Sequence, residues 1–113
     1  MAKTSLIDLD HLDRYVAGDR SLRDEILSIF EEQAEMWTRM LDPRAEDSAW
    51  KDAAHALKGA SRGVGAWQIG DICEHAETLV GSTADSAMRV DAVDELRNVV
   101  RNTVAEVRRL REL

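Results

Sequence analysis

His55 is the side chain of this sequence best placed to do chemistry. Neutral imidazole is a nucleophile near pH 7, with an ordinary pKa of about 6.5. The run Ala54-His55-Ala56-Leu57-Lys58-Gly59-Ala60-Ser61-Arg62 reads as helix, because alanine and leucine favour helix and no proline interrupts it. At about 100° per residue, Lys51, His55, Lys58, Gly59 and Arg62 fall within roughly 60° of one direction. The opposite side carries Ala49, Trp50, Ala53, Leu57, Ala60 and Val64, an apolar stripe suited to a core. His55 thus sits on the polar face, with cations one turn before it, one turn after and two turns after. That setting suits an anion. Gly59 sharpens the pattern, since glycine inside a helix costs about 1 kcal/mol relative to alanine. On the His55 face it clears an approach for another molecule's surface; a tolerated defect or a helix–helix contact is the bland alternative.

Other chemistries find less support. Ser61 lies well round from the His55 face and reads as a helix–helix hydrogen-bonding residue, so no Asp–His–Ser arrangement is implied. Gly63-Val64-Gly65 follows a helix, with no preceding strand and no third spaced glycine, and is no nucleotide fingerprint. There is no Walker loop and no visible ATP-binding motif. His11, among Asp8, Asp10 and Asp13, and His75, between Glu74 and Glu77, read as surface residues without metal-ligand spacing. Cys73 is the one cysteine, which rules out an intrachain disulfide, and its apolar setting suggests a buried, inert thiol.

The pattern His55-x-Leu57-Lys58-Gly59-x-Ser61-x-x-x-Gly65-Ala66 resembles the signature of histidine-containing phosphotransfer (HPt) domains of two-component phosphorelays. Ile7-Asp8, Gly18-Asp19, Phe30, Ile72, Cys73 and Glu77 extend the likeness along the chain. The resemblance implies a phosphocarrier on a helical bundle. His55 would accept phosphate from a receiver-domain aspartate, or from a histidine-kinase system, and pass it to another response-regulator receiver. Lys58 carries over from the motif, whereas Lys51 and Arg62 rest on wheel geometry. The implied partners are receiver domains and a hybrid histidine kinase. No cofactor of its own is implied, and Mg²⁺ is expected on the partner receiver. The chain would be an enzyme only loosely, without autonomous kinase activity. A helical module that binds receivers without carrying phosphate is the alternative.

The elements that position His55 follow from periodicity. A short helix from near Asp8 to Ala17, capped by Asp8, would bury Leu9, Leu12, Tyr15 and Val16 before Gly18-Asp19 ends it. A second starts near Ser21 with a loose Ser21-x-x-Asp24 capping box. It carries Leu22, Ile26, Ile29, Phe30, Gln33, Met36, Trp37 and Met40 as a core-facing stripe, and closes at Asp42-Pro43. Gln33 reads as a boundary residue; bordering the phosphorylation face is the alternative. The motif helix, capped by Asp47 or Ser48, runs to about Val64. A fourth, roughly Ala66 to Val80, packs Trp67, Ile69, Ile72, Cys73, Ala76, Leu79 and Val80. A last one, from near Asp85 to the C-terminus, packs Val90, Val93, Leu96, Val100, Val104, Val107 and Leu110. Arg101, Arg108, Arg109 and Arg111 crowd its end, which suits the negative pole of the helix dipole and reads as a solvated face.

The expected fold is all-α, an antiparallel four-helix bundle with the short N-terminal helix across one end, forming one domain over residues 1–113. A net charge of −7 argues against nucleic-acid binding and makes the cations around His55 a local exception. No apolar run approaches the 18 or so residues needed to span a bilayer, so no membrane association is expected. The segment Met1–Asp8 lacks a signal peptide's apolar core, which leaves a cytoplasmic address as the expectation. Nothing in the sequence demands dimerisation, and a monomer is expected.

Overall fold

The computed structural model describes residues 6–112, the Thr83 side chain apart. The segment Met1–Ser5, read above for a leader, and Leu113 lie outside the described residues. Five α-helices follow in order: α1 (Leu9–Val16), α2 (Arg20–Met40), α3 (Asp47–Gly63), α4 (Trp67–Glu77) and α5 (Ser86–Glu112). A 3₁₀ turn at Gly81–Thr83 lies between α4 and α5.

Short connections make successive helices antiparallel neighbours. The packing closes a ring in which α2 touches α3, α3 touches α4, α4 touches α5 and α5 returns to α2, while α1 lies against α2. The pairings fix the directions. Trp50 near the start of α3 donates its Nε1–H to Ala76 O near the end of α4, at 2.7 Å. Arg23 near the start of α2 donates to Leu110 O at the end of α5. The core between them holds Leu27, Phe30, Trp50, Leu57, Ile69, Leu96 and Val107.

Capping differs from the sequence reading at two helices. Asp19, rather than the Ser21 box, caps α2 by accepting from Leu22 N at 3.0 Å, two residues earlier than expected. Neither Asp47 nor Ser48 caps α3; the N-cap is Glu46, with no side-chain bond. The Asp47 carboxylate is occupied elsewhere, by Gly81 N at 2.9 Å and Arg89 at 2.7 Å. Asp8 caps α1 as expected, through His11 N.

The face of α2 turned inward also differs. Phe30 is buried as expected, but Leu22, Ile29, Gln33, Met36 and Met40 are exposed, and Leu27, Ala34 and Thr38 are buried in their place. Thr38 can be buried because its hydroxyl donates to Ala34 O at 2.6 Å, which removes the cost of an unpaired polar group. Tyr15, Ala49 and Val90, expected inward, are exposed. His11 is half-buried, its ring edge-on to Trp67. Ser61 is fully buried, but its Oγ has no hydrogen-bond partner, so the helix–helix bond expected of it is not made.

Arg89 is the unforeseen core residue. Only 4 % exposed, it donates to Leu79 O, Pro43 O, Ala45 O and the Asp47 carboxylate, and lies 4.7 Å over the Trp50 ring. It ties the start of α5 to the loops that follow α2 and α4. A buried guanidinium persists only when its donors are met in this way.

Candidate functional site

The site is built on the α3–α4 hairpin. Its turn depends on Gly65, which adopts φ +80°, where an added Cβ would lie 2.9 Å from both Asp8 Cβ and Asp8 O. Asp8 N donates to Gly65 O at 3.0 Å, and Asp8 Oδ2 accepts from Trp67 Nε1 at 2.9 Å. That second bond, then the bond from His11 N, holds the Asp8 carboxyl below the usual carboxylate range. The N-terminal segment thus fastens both sides of the turn. In such a hairpin, residues equally far from the turn lie side by side. His55 is eleven residues before Ala66 and Glu77 eleven after it, and the two meet.

The His55 side chain is 72 % exposed, and its Nδ1 lies 3.3 Å from Glu77 Oε1. Lys58 Nζ lies 2.9 Å from the same oxygen. Lys58 and Glu77 are by contrast largely covered, at 18 % and 15 %. Burial pushes the Glu77 carboxyl up, but its bond and charge attraction with Lys58, and then with His55, outweigh that and leave its pKa lowered. An ionised carboxylate only accepts hydrogen bonds, so the contact with His55 requires the hydrogen on Nδ1, and in the neutral ring Nε2 then carries the lone pair. One largely covered carboxylate oxygen therefore orients an exposed imidazole and steadies a lysine one turn along the same helix.

The remaining residues of the polar face divide. Gly59 is exposed, and an added Cβ there would meet nothing within 4 Å, so the space beside His55 is open. Lys51 is exposed and, among the described residues, makes no hydrogen bond or ion pair. Arg62 is turned toward α4, at 3.3 Å from Glu74 and 3.7 Å from Asp71, and covers Gly70. The structure thus brings His55 and Lys58 together on Glu77 and places Arg62 on the helix seam. Behind the site Cys73 is buried, and burial first, then the Glu77 charge, pushes its thiol up to about 12.

Two features escaped the sequence reading. Glu77 stood there only as a point of likeness, although the hairpin symmetry about Ala66 could have paired it with His55. The other is a groove of about 230 Å³ beside Gly59, lined by Tyr15, Ile26, Ile29, Phe30, Gln33 and Gly63 among others. With Ile29 and Met40 more than half exposed and Met36 nearby on α2, an apolar surface borders the histidine face. Gln33 lies on that border, the placement the sequence reading had ranked second.

Among the described residues no group of His, Cys, Asp and Glu could hold a metal ion, and no helix is long and apolar enough to cross a membrane. The Hpt domain family matches residues 20–109. A crystal structure of histidine phosphotransferase ShpA from Caulobacter crescentus is similar to this chain at 37% sequence identity and a TM-score of 0.59, covering 93% of this chain and 97% of that one. Among curated proteins none matches the chain.

Proposed function

The chain belongs to the Hpt family, the histidine phosphotransfer domains of phosphorelays, and on that premise we propose that His55 is its phosphate carrier. Members of the family interact with two-component receivers and kinases and typically need no cofactor of their own. In this reading His55 accepts a phosphoryl group from a receiver aspartate, or from a kinase system, and delivers it to another receiver. The observation that carries the reading is the exposed His55 ring with Nδ1 held by the covered Glu77 and Nε2 left open.

The step balances without a proton transfer. The Nε2 lone pair forms an N–P bond as the P–O bond to the donor aspartate breaks, and the aspartate leaves as carboxylate. The ring keeps its Nδ1 hydrogen and becomes cationic, beside the Glu77 carboxylate that stabilises that charge. The reverse sequence delivers the group to the next aspartate. Lys58 stabilises the phosphoryl oxygens, with Lys51 as a second cation one turn before His55. Arg62, engaged by Asp71 and Glu74, supports the site through the α3–α4 seam. Gly59 admits the partner, and Ile29, Met36 and Met40 give it an apolar surface to dock on. The receiver brings its own Mg²⁺.

The test is transfer from a phosphorylated receiver to the wild type and to His55→Gln. Acid-labile, base-stable label on the wild type and none on the variant supports the reading. Absence of label across a panel of receivers and kinases leaves a binding module without phosphate chemistry.

A further inference from the structure

A groove lies across the bundle from the His55–Glu77 seam, between α2 and α5. It encloses about 470 Å³ and is walled by Arg39, Arg97, Arg101 and Arg108, with Glu35 as the one acidic member. Its floor is Thr38, Val100, Val104 and Ala105. A second depression shares Arg39 and Arg97 and continues the groove to Val90 past Asp42, whose carboxylate lies 3.6 Å from Arg44. From Val90 to Arg108 the path along α5 is about 27 Å at 1.5 Å per residue. Arg108 is paired with Glu31 at 2.9 Å. Arg39, Arg97 and Arg101 make no hydrogen bond or ion pair among the described residues.

This arrangement is unusual in a chain of net charge −7. A helix dipole accounts for cations in the last turn of α5, but its effect fades within that turn, and Arg97 and Arg101 lie well before it. Their guanidinium forks match carboxylates in a bidentate geometry that an ammonium cannot copy. The concave, apolar-floored shape cannot be met by a flat bilayer. The length exceeds what a small anion would occupy.

We propose that the α2–α5 groove is a second interaction site that docks an acidic amphipathic segment of a partner polypeptide, its carboxylates on Arg39, Arg97 and Arg101 and its apolar side chains on Val100, Val104 and Ala105. The site is independent of phosphate chemistry, because it shares no residue with the His55 face. A partner held there leaves the histidine free to meet a receiver, so the groove is a tether that raises the local concentration of the relay's other components.

The test is an amide NMR titration of the ¹⁵N-labelled full chain with a synthetic peptide of about 18 residues, long enough for a groove of about 27 Å. The peptide carries leucine at three- and four-residue steps and glutamate on the flanks; a shuffled peptide of the same composition and a single-stranded oligonucleotide are run beside it. Saturable shifts at Arg39, Arg97, Val100, Arg101 and Val104, with the His55 region unmoved, support the proposal. In Arg97→Gln/Arg101→Gln the affinity falls about tenfold, and Arg97→Lys/Arg101→Lys recovers part of it. These are exposed positions, so the remainder of the spectrum reports an intact fold. No saturable shift, equal binding of the shuffled peptide, shifts centred on His55, wild-type affinity in the glutamine variant, or tighter binding of the oligonucleotide would each overturn it.

Discussion

Glu77 offers the sharpest test of how the site works. Its Oε1 serves two groups at once, His55 Nδ1 at 3.3 Å and Lys58 Nζ at 2.9 Å. Replacing it by alanine has two opposed effects on transfer. The imidazole loses the acceptor that selects its tautomer and holds Nε2 outward. Lys58, released, is freer to meet the incoming phosphoryl group. The first effect prevails, because without Glu77 the exposed ring divides its time among rotamers and tautomers that cannot attack. The bond to Nδ1 is long and the ring well solvated, so its worth is near the ordinary net value of about 1 kcal/mol, which corresponds to about a fivefold slower transfer. Glu77→Gln keeps an oxygen acceptor for Nδ1 and remains within about twofold of wild type, on the same reasoning. Rapid-quench kinetics with a phosphorylated receiver, over a range of receiver concentration, separate the maximal rate from apparent affinity. The maximal rate should fall in Glu77→Ala with affinity unchanged, since the covered Glu77 is not part of the apolar docking groove. Wild-type transfer by Glu77→Ala, or equal loss in alanine and glutamine variants, would refute the positioning role.

Three further outcomes follow from the same geometry. Gly59→Ala gains helix stability of about 0.5–1 kcal/mol because its Cβ meets nothing, whereas Gly59→Leu keeps the fold but slows transfer more than about tenfold by filling the approach; thermal melts and transfer rates together check this. Arg89→Ala breaks a buried network of carbonyls, the Asp47 carboxylate and the Trp50 face, and should cost about 3–5 kcal/mol, read as a large drop in Tm, while transfer well below that Tm persists. Glu77 has a lowered pKa in the folded state, so its stabilisation is full above the unfolded carboxyl value and is lost as pH falls through the folded one. Melts between about pH 5 and pH 3 should therefore show a smaller acid loss for Glu77→Gln than for wild type.

The placement of His55 was legible because helical spacing alone separates its face from the Trp50–Leu57 stripe, and both lie where the wheel put them. The order of helices was legible from Gly18, Pro43 and Gly65, which end or turn them. The inward face of α2 was not. Leu22, Ile29, Met36 and Met40 form a regular apolar stripe that competes with the true core line through Leu27, Phe30, Ala34 and Thr38, of which only Phe30 lay on the expected stripe. Small and hydroxylated residues leave a weak hydrophobic signal, and the bond from Thr38 to Ala34 O that permits their burial is invisible in a pattern of polarity. Arg89 was hidden for the same reason, since a guanidinium reads as surface until carbonyls from the loops after α2 and α4 and the Asp47 carboxylate converge on it. Glu77 needed the hairpin's register, which is set by the turn at Gly65 and by nothing near Glu77 itself.

The most direct measurement is the location of the phosphate on the ring. The chain, phosphorylated by a receiver or a kinase system with its histidines ¹⁵N-labelled, is read by long-range ¹H–¹⁵N imidazole spectra alongside His55→Gln. The account predicts a single phosphohistidine at His55, with phosphorus on Nε2 and hydrogen on Nδ1 facing Glu77. Phosphate on Nδ1, on His11 or on His75 would contradict it.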